Sequence, residues 1–169
     1  MLKNCSKMAR KKTEGKYPIE IVDDVFAEGN STLADTLKAI AGTDAAKVAL
    51  VADANVVQRT EGLGLKIGKY FKEHGITLAA SPVVVSGGEK IKADGLQSAM
   101  LVATSLIDAR IGASDVVIAL GGGTVLDVAG YVAAQVRGGL KLLRMPTTPA
   151  AIREDSMDYP PIWSAIYSP

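Results

Sequence analysis

The chain has 169 residues, enough for one domain with a substantial core, and no apolar run approaches the ~20 residues needed to cross a membrane. It is 48% hydrophobic and 22% charged, an ordinary globular composition, and its single cysteine, Cys5, excludes an internal disulfide and suits a reducing compartment. The net charge of +1 is unevenly placed: Lys3, Lys7, Arg10, Lys11 and Lys12 form a basic tail, and without these five the balance is 14 basic against 18 acidic residues, which excludes a nucleic-acid surface.

Residues 1–15 read as a disordered, solvated basic end; an organelle-targeting remnant is the alternative. No long apolar stretch follows the first methionine, so the expected location is cytoplasmic. Tyr17 to Val22 reads as a first strand, and Ser31 to Ala41 as a helix capped by Asn30 or Ser31. Lys47 to Asp53 (KVALVAD) is a compact apolar strand that ends in an acid. Val56 to Glu73 has a helical pattern that stops at His74-Gly75, and Gly62, Gly64 and Gly68 make its first half irregular. His74, a lone histidine at a helix end, reads as a surface residue.

Ile76 to Ser86 is rich in β-branched residues and broken by Pro82. Leu96, Met100, Ala103, Ile107 and Ile111 form an apolar stripe at helical spacing, and so do Val125, Val128, Val132 and Val136. Between these stripes Asp115 to Leu120 (DVVIAL) is a buried strand, and Leu140 to Met145 (LKLLRM) is the last one. Continuous apolar strands alternating with helices predict an α/β fold: a Rossmann-like, mainly parallel sheet with helices on both faces. The expected domain runs over residues 16–150. The proline-rich segment 151–169, with the only tryptophan, Trp163, reads as an irregular tail.

Several segments carry chemistry. In DVVIALGGGTVLD (Asp115 to Asp127) a buried strand meets three glycines and then a helix. Glycine permits positive φ and close approach to a ligand, and a helix N-terminus offers free N–H groups, so Gly121, Gly122 and Gly123 form a candidate phosphate cradle. The motif is not the GxGxxG fingerprint. Asp53, at a strand end beside Asn55 and Val56, either accepts hydrogen bonds from ribose hydroxyls or caps the following helix. Ser86-Gly87-Gly88-Glu89, with Lys90 and Lys92, is a second glycine turn that alone reads as a surface loop. Thr147 and Thr148 in PTTP either contact a ligand or cap a turn. Asp127 reads as a first-turn acid stabilised by the helix dipole, and Arg137 suits the far end of the same dipole. One histidine and one cysteine give no credible metal site.

Together, GGEKIK (Gly87 to Lys92), ALGGGTVLDVAGYVAA (Ala119 to Ala134) and PTT (Pro146 to Thr148), with KYPIEI and VADANV, resemble the 3-dehydroquinate synthase-like sugar phosphate cyclases over about residues 16–150. The resemblance implies an NAD-binding domain. Asp53, Asn55 and Val56 would face adenosine, and Glu89 and Lys92 the ribose hydroxyls. Gly122 and Gly123, with Gly121 beside them, would cradle the pyrophosphate, and Asp127, Thr147 and Thr148 would lie toward the nicotinamide. It also implies transient oxidation of a sugar phosphate by NAD, phosphate elimination, hydride return and aldol ring closure. LDVAG and LRMPTT resemble the sedoheptulose-7-phosphate cyclases somewhat more than typical dehydroquinate synthases.

Three departures stand out. The family's substrate-phosphate arginine falls one position after Arg137, where this chain has Gly138. The resemblance stops after Thr148, where PAAIREDSMDYPP replaces a lysine-bearing segment. The helical second domain, with its zinc or cobalt ligands, is expected to be missing. The expectation is therefore a chain that binds NAD and a sugar phosphate, is inactive or nearly so by itself, and pairs as a homodimer or with a chain supplying the second domain. A fragment of an iron-type alcohol or glycerol dehydrogenase and a non-catalytic NAD-binding module are the alternatives.

Overall fold

The computed structural model describes residues 22–44, 46–94 and 96–156. The basic tail, residues 17–21 of the expected first strand and residues 157–169 lie outside them. In chain order the elements are α1 (Thr32–Ala41), β1 (Lys47–Asp53), α2 (Ala54–Arg59), α3 (Leu63–Glu73), β2 (Thr77–Leu78), β3 (Val83–Val85), α4 (Glu89–Ala93), α5 (Gln97–Asp108), β4 (Val116–Gly121), α6 (Gly123–Gln135), β5 (Lys141–Pro146) and α7 (Pro149–Ser156).

All the strand pairings are parallel, in the order β2-β1-β4-β5, with β3 also on β1. β2 and β3 are two pieces of one apolar run. The first pairs with Lys47 and Val48, the second with Val51 to Asp53, and Pro82 falls between them. The sheet residues alternate between two cores. Ala49, Val51, Val117 and Ala119 face α5 and α6, where Val102, Leu106, Val125, Leu126 and Ala129 pack. Val48, Leu50, Val116, Ile118 and Leu120 face α1 and α3, where Leu33, Leu37, Ile67, Tyr70 and Phe71 pack. This is the mixed α/β fold with a parallel sheet flanked by helices that the alternating pattern predicts.

Local chemistry explains most boundaries. At the start of α1 the Asn30 side chain accepts from Thr32 N–H at 3.0 Å, and Ser31 donates to Asp35 at 2.7 Å. The Val56–Glu73 pattern splits into α2 and α3 at Gly62, whose φ of 70° is a left-handed conformation that glycine takes at little cost. Tyr70 joins α3 to α1: its hydroxyl donates to Asn30 O at 2.7 Å and accepts from Ala34 N–H at 3.3 Å. Burial raises its pKa above 10.0. His74 is half-buried rather than on the surface, its ring 4.3 Å from that of Tyr70.

Two expectations fail. Residues 151–156 are helical, within α7, not irregular. Thr148 caps this helix, its Oγ1 accepting from Ala151 N–H at 3.3 Å and its carbonyl from Ile152 N–H at 2.9 Å. Pro149 then sits at the first helical position, where its fixed φ and missing N–H cost nothing. Secondly, α5 forms as predicted, but its apolar stripe is not its buried face. Ser98, Val102 and Leu106 point inward, whereas Leu96, Met100 and Ile107 are 65%, 66% and 50% exposed. Only Ile111 of that stripe reaches the core fully. The helix is apolar on two sides, so periodicity alone does not select the inner one.

The two faces of α5 should therefore differ sharply on truncation. Leu106→Ala is expected to cost about 2–5 kcal/mol in chemical denaturation, and Ile107→Ala less than about 1 kcal/mol.

Candidate functional site

Parallel α/β sheets bind ligands beyond the carboxyl ends of their strands. Here those ends are Asp53 of β1, Val85 of β3, Gly121 of β4 and Pro146 of β5, aligned by the pairings Asp53 with Val85 and Gly121 with Pro146. Each is followed by a turn that the sequence singles out, and the structure brings these turns together.

Asp53 is buried. Its Oδ1 accepts from Asn55 N–H at 2.8 Å and from Asn55 Nδ2 at 3.1 Å, which caps α2. The capping alternative thus holds in this structure. The same side chain controls the neighbouring turns. A Cβ on Gly87 would overlap the Asp53 carboxylate, and one on Gly121 would lie 2.9 Å from Asp53 Cβ and 3.1 Å from Val125 Cβ. Gly121 and Gly87 are glycines because Asp53 leaves no room for a side chain.

Gly122 is the N-cap of α6, with φ −77° and ψ 170°, and a Cβ there would lie 3.3 Å from Thr148 Cγ2. The glycine run therefore does not use positive φ, contrary to expectation; Gly121 and Gly122 allow close approach instead. Gly123 opens α6. Thr147 N–H donates to Gly121 O at 2.9 Å, which fixes the PTT turn against the end of β4. The second glycine turn is tied in as well, through Gly88 N–H to Thr124 Oγ1 at 2.9 Å. Thr124 had no role in the sequence reading. It lies inside the glycine motif, but nothing in the sequence shows which residue its hydroxyl faces.

The remaining residues are less uniform. Val56 is half-buried against the α1–α3 side of the sheet. Glu89 and Lys92 lie on α4, and their side chains fall outside the described part of the structure. Asp127 is the fifth residue of α6 rather than a first-turn acid, and it pairs with Arg144 of β5 at 3.4 Å. Arg144 also reaches Leu126 O at 3.5 Å. Arg137 is not part of this cluster. It is exposed beyond the C-terminal end of α6, at φ 52°, just before the chain enters β5. The 13 residues of α6 carry it about 20 Å from the glycine turn, to the amino ends of the strands. Among the described residues no group of three His, Cys, Asp or Glu side chains is placed to hold a metal ion. No described helix is long and apolar enough to cross a membrane.

Strand order, strand-end turns and a helix opening on glycine define an α/β domain whose candidate site lies at the carboxyl edge. Residues 82–157 match the family model described as 3-dehydroquinate synthase N-terminal. The 3-dehydroquinate synthase of Brucella anthropi is 33% identical over 132 residues, covering 78% of this chain and 32% of that enzyme. That of Nitrobacter winogradskyi is 40% identical over 107 residues, covering 61% of this chain and 25% of that enzyme. Among solved structures, 2-epi-5-epi-valiolone synthase from Streptomyces hygroscopicus subsp. jinggangensis, with NAD+ and Zn2+ bound, shares the fold at a TM-score of 0.58 and 22% identity, covering 78% of this chain and 35% of that one. A 2-deoxy-scyllo-inosose synthase complexed with carbaglucose-6-phosphate, NAD+ and Co2+ gives 0.54 and 20%, covering 70% and 32%. The chain is thus similar to part of the N-terminal domain of 3-dehydroquinate synthases, and it spans about a third or less of the length of these relatives. The family match runs on to residue 157, through α7, so the likeness does not stop at Thr148.

Because the Asp53 carboxylate fills the space beside Gly87, Gly87→Ala is expected to lower stability by about 1–3 kcal/mol. In a double-mutant cycle the cost should shrink when Asp53 is also replaced by alanine. Strict additivity would show that the carboxylate is not what excludes a side chain.

Proposed function

We propose that this chain is the NAD-binding part of a sugar phosphate cyclase of the 3-dehydroquinate synthase kind, acting in the cytoplasm. The observation that carries this reading is the convergence of Gly121, Gly122 and the Thr147-Thr148 turn on the N-terminus of α6. A helix N-terminus leaves N–H groups without intrahelical partners, and its dipole favours an anion. A dinucleotide pyrophosphate suits that surface.

In this reading the N–H groups around Gly122 and Gly123 bind the pyrophosphate. Asp53, Asn55 and Val56 lie on the adenosine side, with Glu89 and Lys92 toward its ribose. Asp127, Thr147 and Thr148 lie toward the nicotinamide. Asp53 acts as a cap and spacer, its Oδ1 engaged by Asn55 and its Oδ2 set against Gly87. Bound NAD would supply the hydride acceptor for a transient oxidation of the sugar phosphate. The described residues do not fit a zinc or cobalt site, so the metal ligands of a working enzyme must come from outside them. Arg137, at the opposite end of α6, has no place beside this crevice.

Calorimetry on the purified 169-residue chain should show saturable NAD binding. Gly122→Val should abolish it, because the new side chain would run into Thr148. The same chain should give no cyclase turnover with sugar phosphates. Appreciable turnover would refute its inactivity alone, and NADH accumulating with an alcohol substrate would favour a dehydrogenase instead.

A further inference from the structure

We infer that Thr124 is a positioning residue, latching the second glycine turn onto the first and setting the crevice width before a ligand arrives. The inference deepens the nucleotide reading and rests on it for its consequence, though not for its geometry. Thr124 is the second residue of α6 and is half-buried. Its hydroxyl accepts the Gly88 N–H across 36 positions of sequence.

Gly88 is an unusual place to anchor. With φ 70° and ψ −147° it lies near a region open essentially only to glycine, and α4 begins at the next residue. α4 is five residues long, too short to be stable by itself. It is held by the buried Ile91 on one side and by the Gly88–Thr124 bond at its start. Ile91 fixes how deep α4 sits. The hydrogen bond fixes where its first turn, and hence the Gly87–Glu89 rim, stands relative to the α6 N-terminus. Loss of the bond frees a strained turn at the mouth of the crevice, and a ligand must then order it on binding.

The test uses the full chain and two variants. Thr124→Val keeps the shape and removes the acceptor; Thr124→Ser keeps the acceptor. Amide exchange at Gly88 in the ligand-free chain should be at least about tenfold faster in the valine variant and unchanged in the serine variant. The dissociation constant for NAD should rise about threefold to tenfold for valine and recover with serine, at nearly constant melting temperature. Unchanged Gly88 exchange in Thr124→Val, or equal weakening in both variants, would overturn the inference. If the chain does not bind NAD at all, the nucleotide reading fails, while Gly88 exchange still decides whether the latch exists. If the valine variant does not fold, Gly88 protection in the unaltered chain decides it: an amide exchanging at the rate of an unstructured glycine rules the latch out.

Discussion

The carboxylate of Asp53 is the constraint around which the carboxyl-edge turns are arranged. It is buried, so it must be hydrogen-bonded, and it takes its partners from Asn55 at the start of α2. That choice aims the side chain across the carboxyl edge of the sheet. The turn after β3 and the end of β4 can then pass only as bare backbone at Gly87 and Gly121. A second buried carboxylate works at the opposite end: Asp115 accepts from Lys47 N–H at 2.8 Å and from Gly112 N–H at 2.8 Å, fixing the entries to β1 and β4. The adjacent central strands are thus pinned at both ends.

Much of this was legible in the sequence, for physical reasons. A strand buried on both faces has no need of alternation, so KVALVAD and DVVIAL stand out as unbroken apolar runs, and the glycines after the second mark the turn into α6. What the glycines do was not legible. The sequence suggests positive φ, whereas Gly121 and Gly122 are set by side chains more than twenty residues away, Asp53 and Thr148. α5 shows the limit of periodicity: both of its faces are apolar, and the more conspicuous stripe points outward. Arg137 shows the limit of proximity in sequence, because a helix intervenes between it and the glycines. The α7 error had an available remedy. Thr148-Pro149 is a helix-start pair, an oxygen-bearing cap followed by proline at the first position.

The family match and the strand-end turns overlap along the chain. The family match begins at Pro82, at the turn into β3, and includes the second glycine turn, α6 and the PTT turn. β1, with Asp53, lies outside that match but inside the longer stretch shared with the Brucella anthropi enzyme, whose 132 residues must include it. The carboxyl-edge turns therefore come from two parts of the chain, and Asp53 is the side chain packed between them.

The central claim is that a nucleotide occupies the carboxyl edge of this sheet. It is tested most directly by titrating NAD into the isotopically labelled chain and following each backbone amide by NMR. The account predicts that the largest shifts fall on Gly87, Gly88, Gly121 to Thr124, Thr147 and Thr148, while the region around Arg137 stays still. Shifts centred on Arg137 and the amino ends of the strands, or none anywhere at saturating NAD, would contradict it.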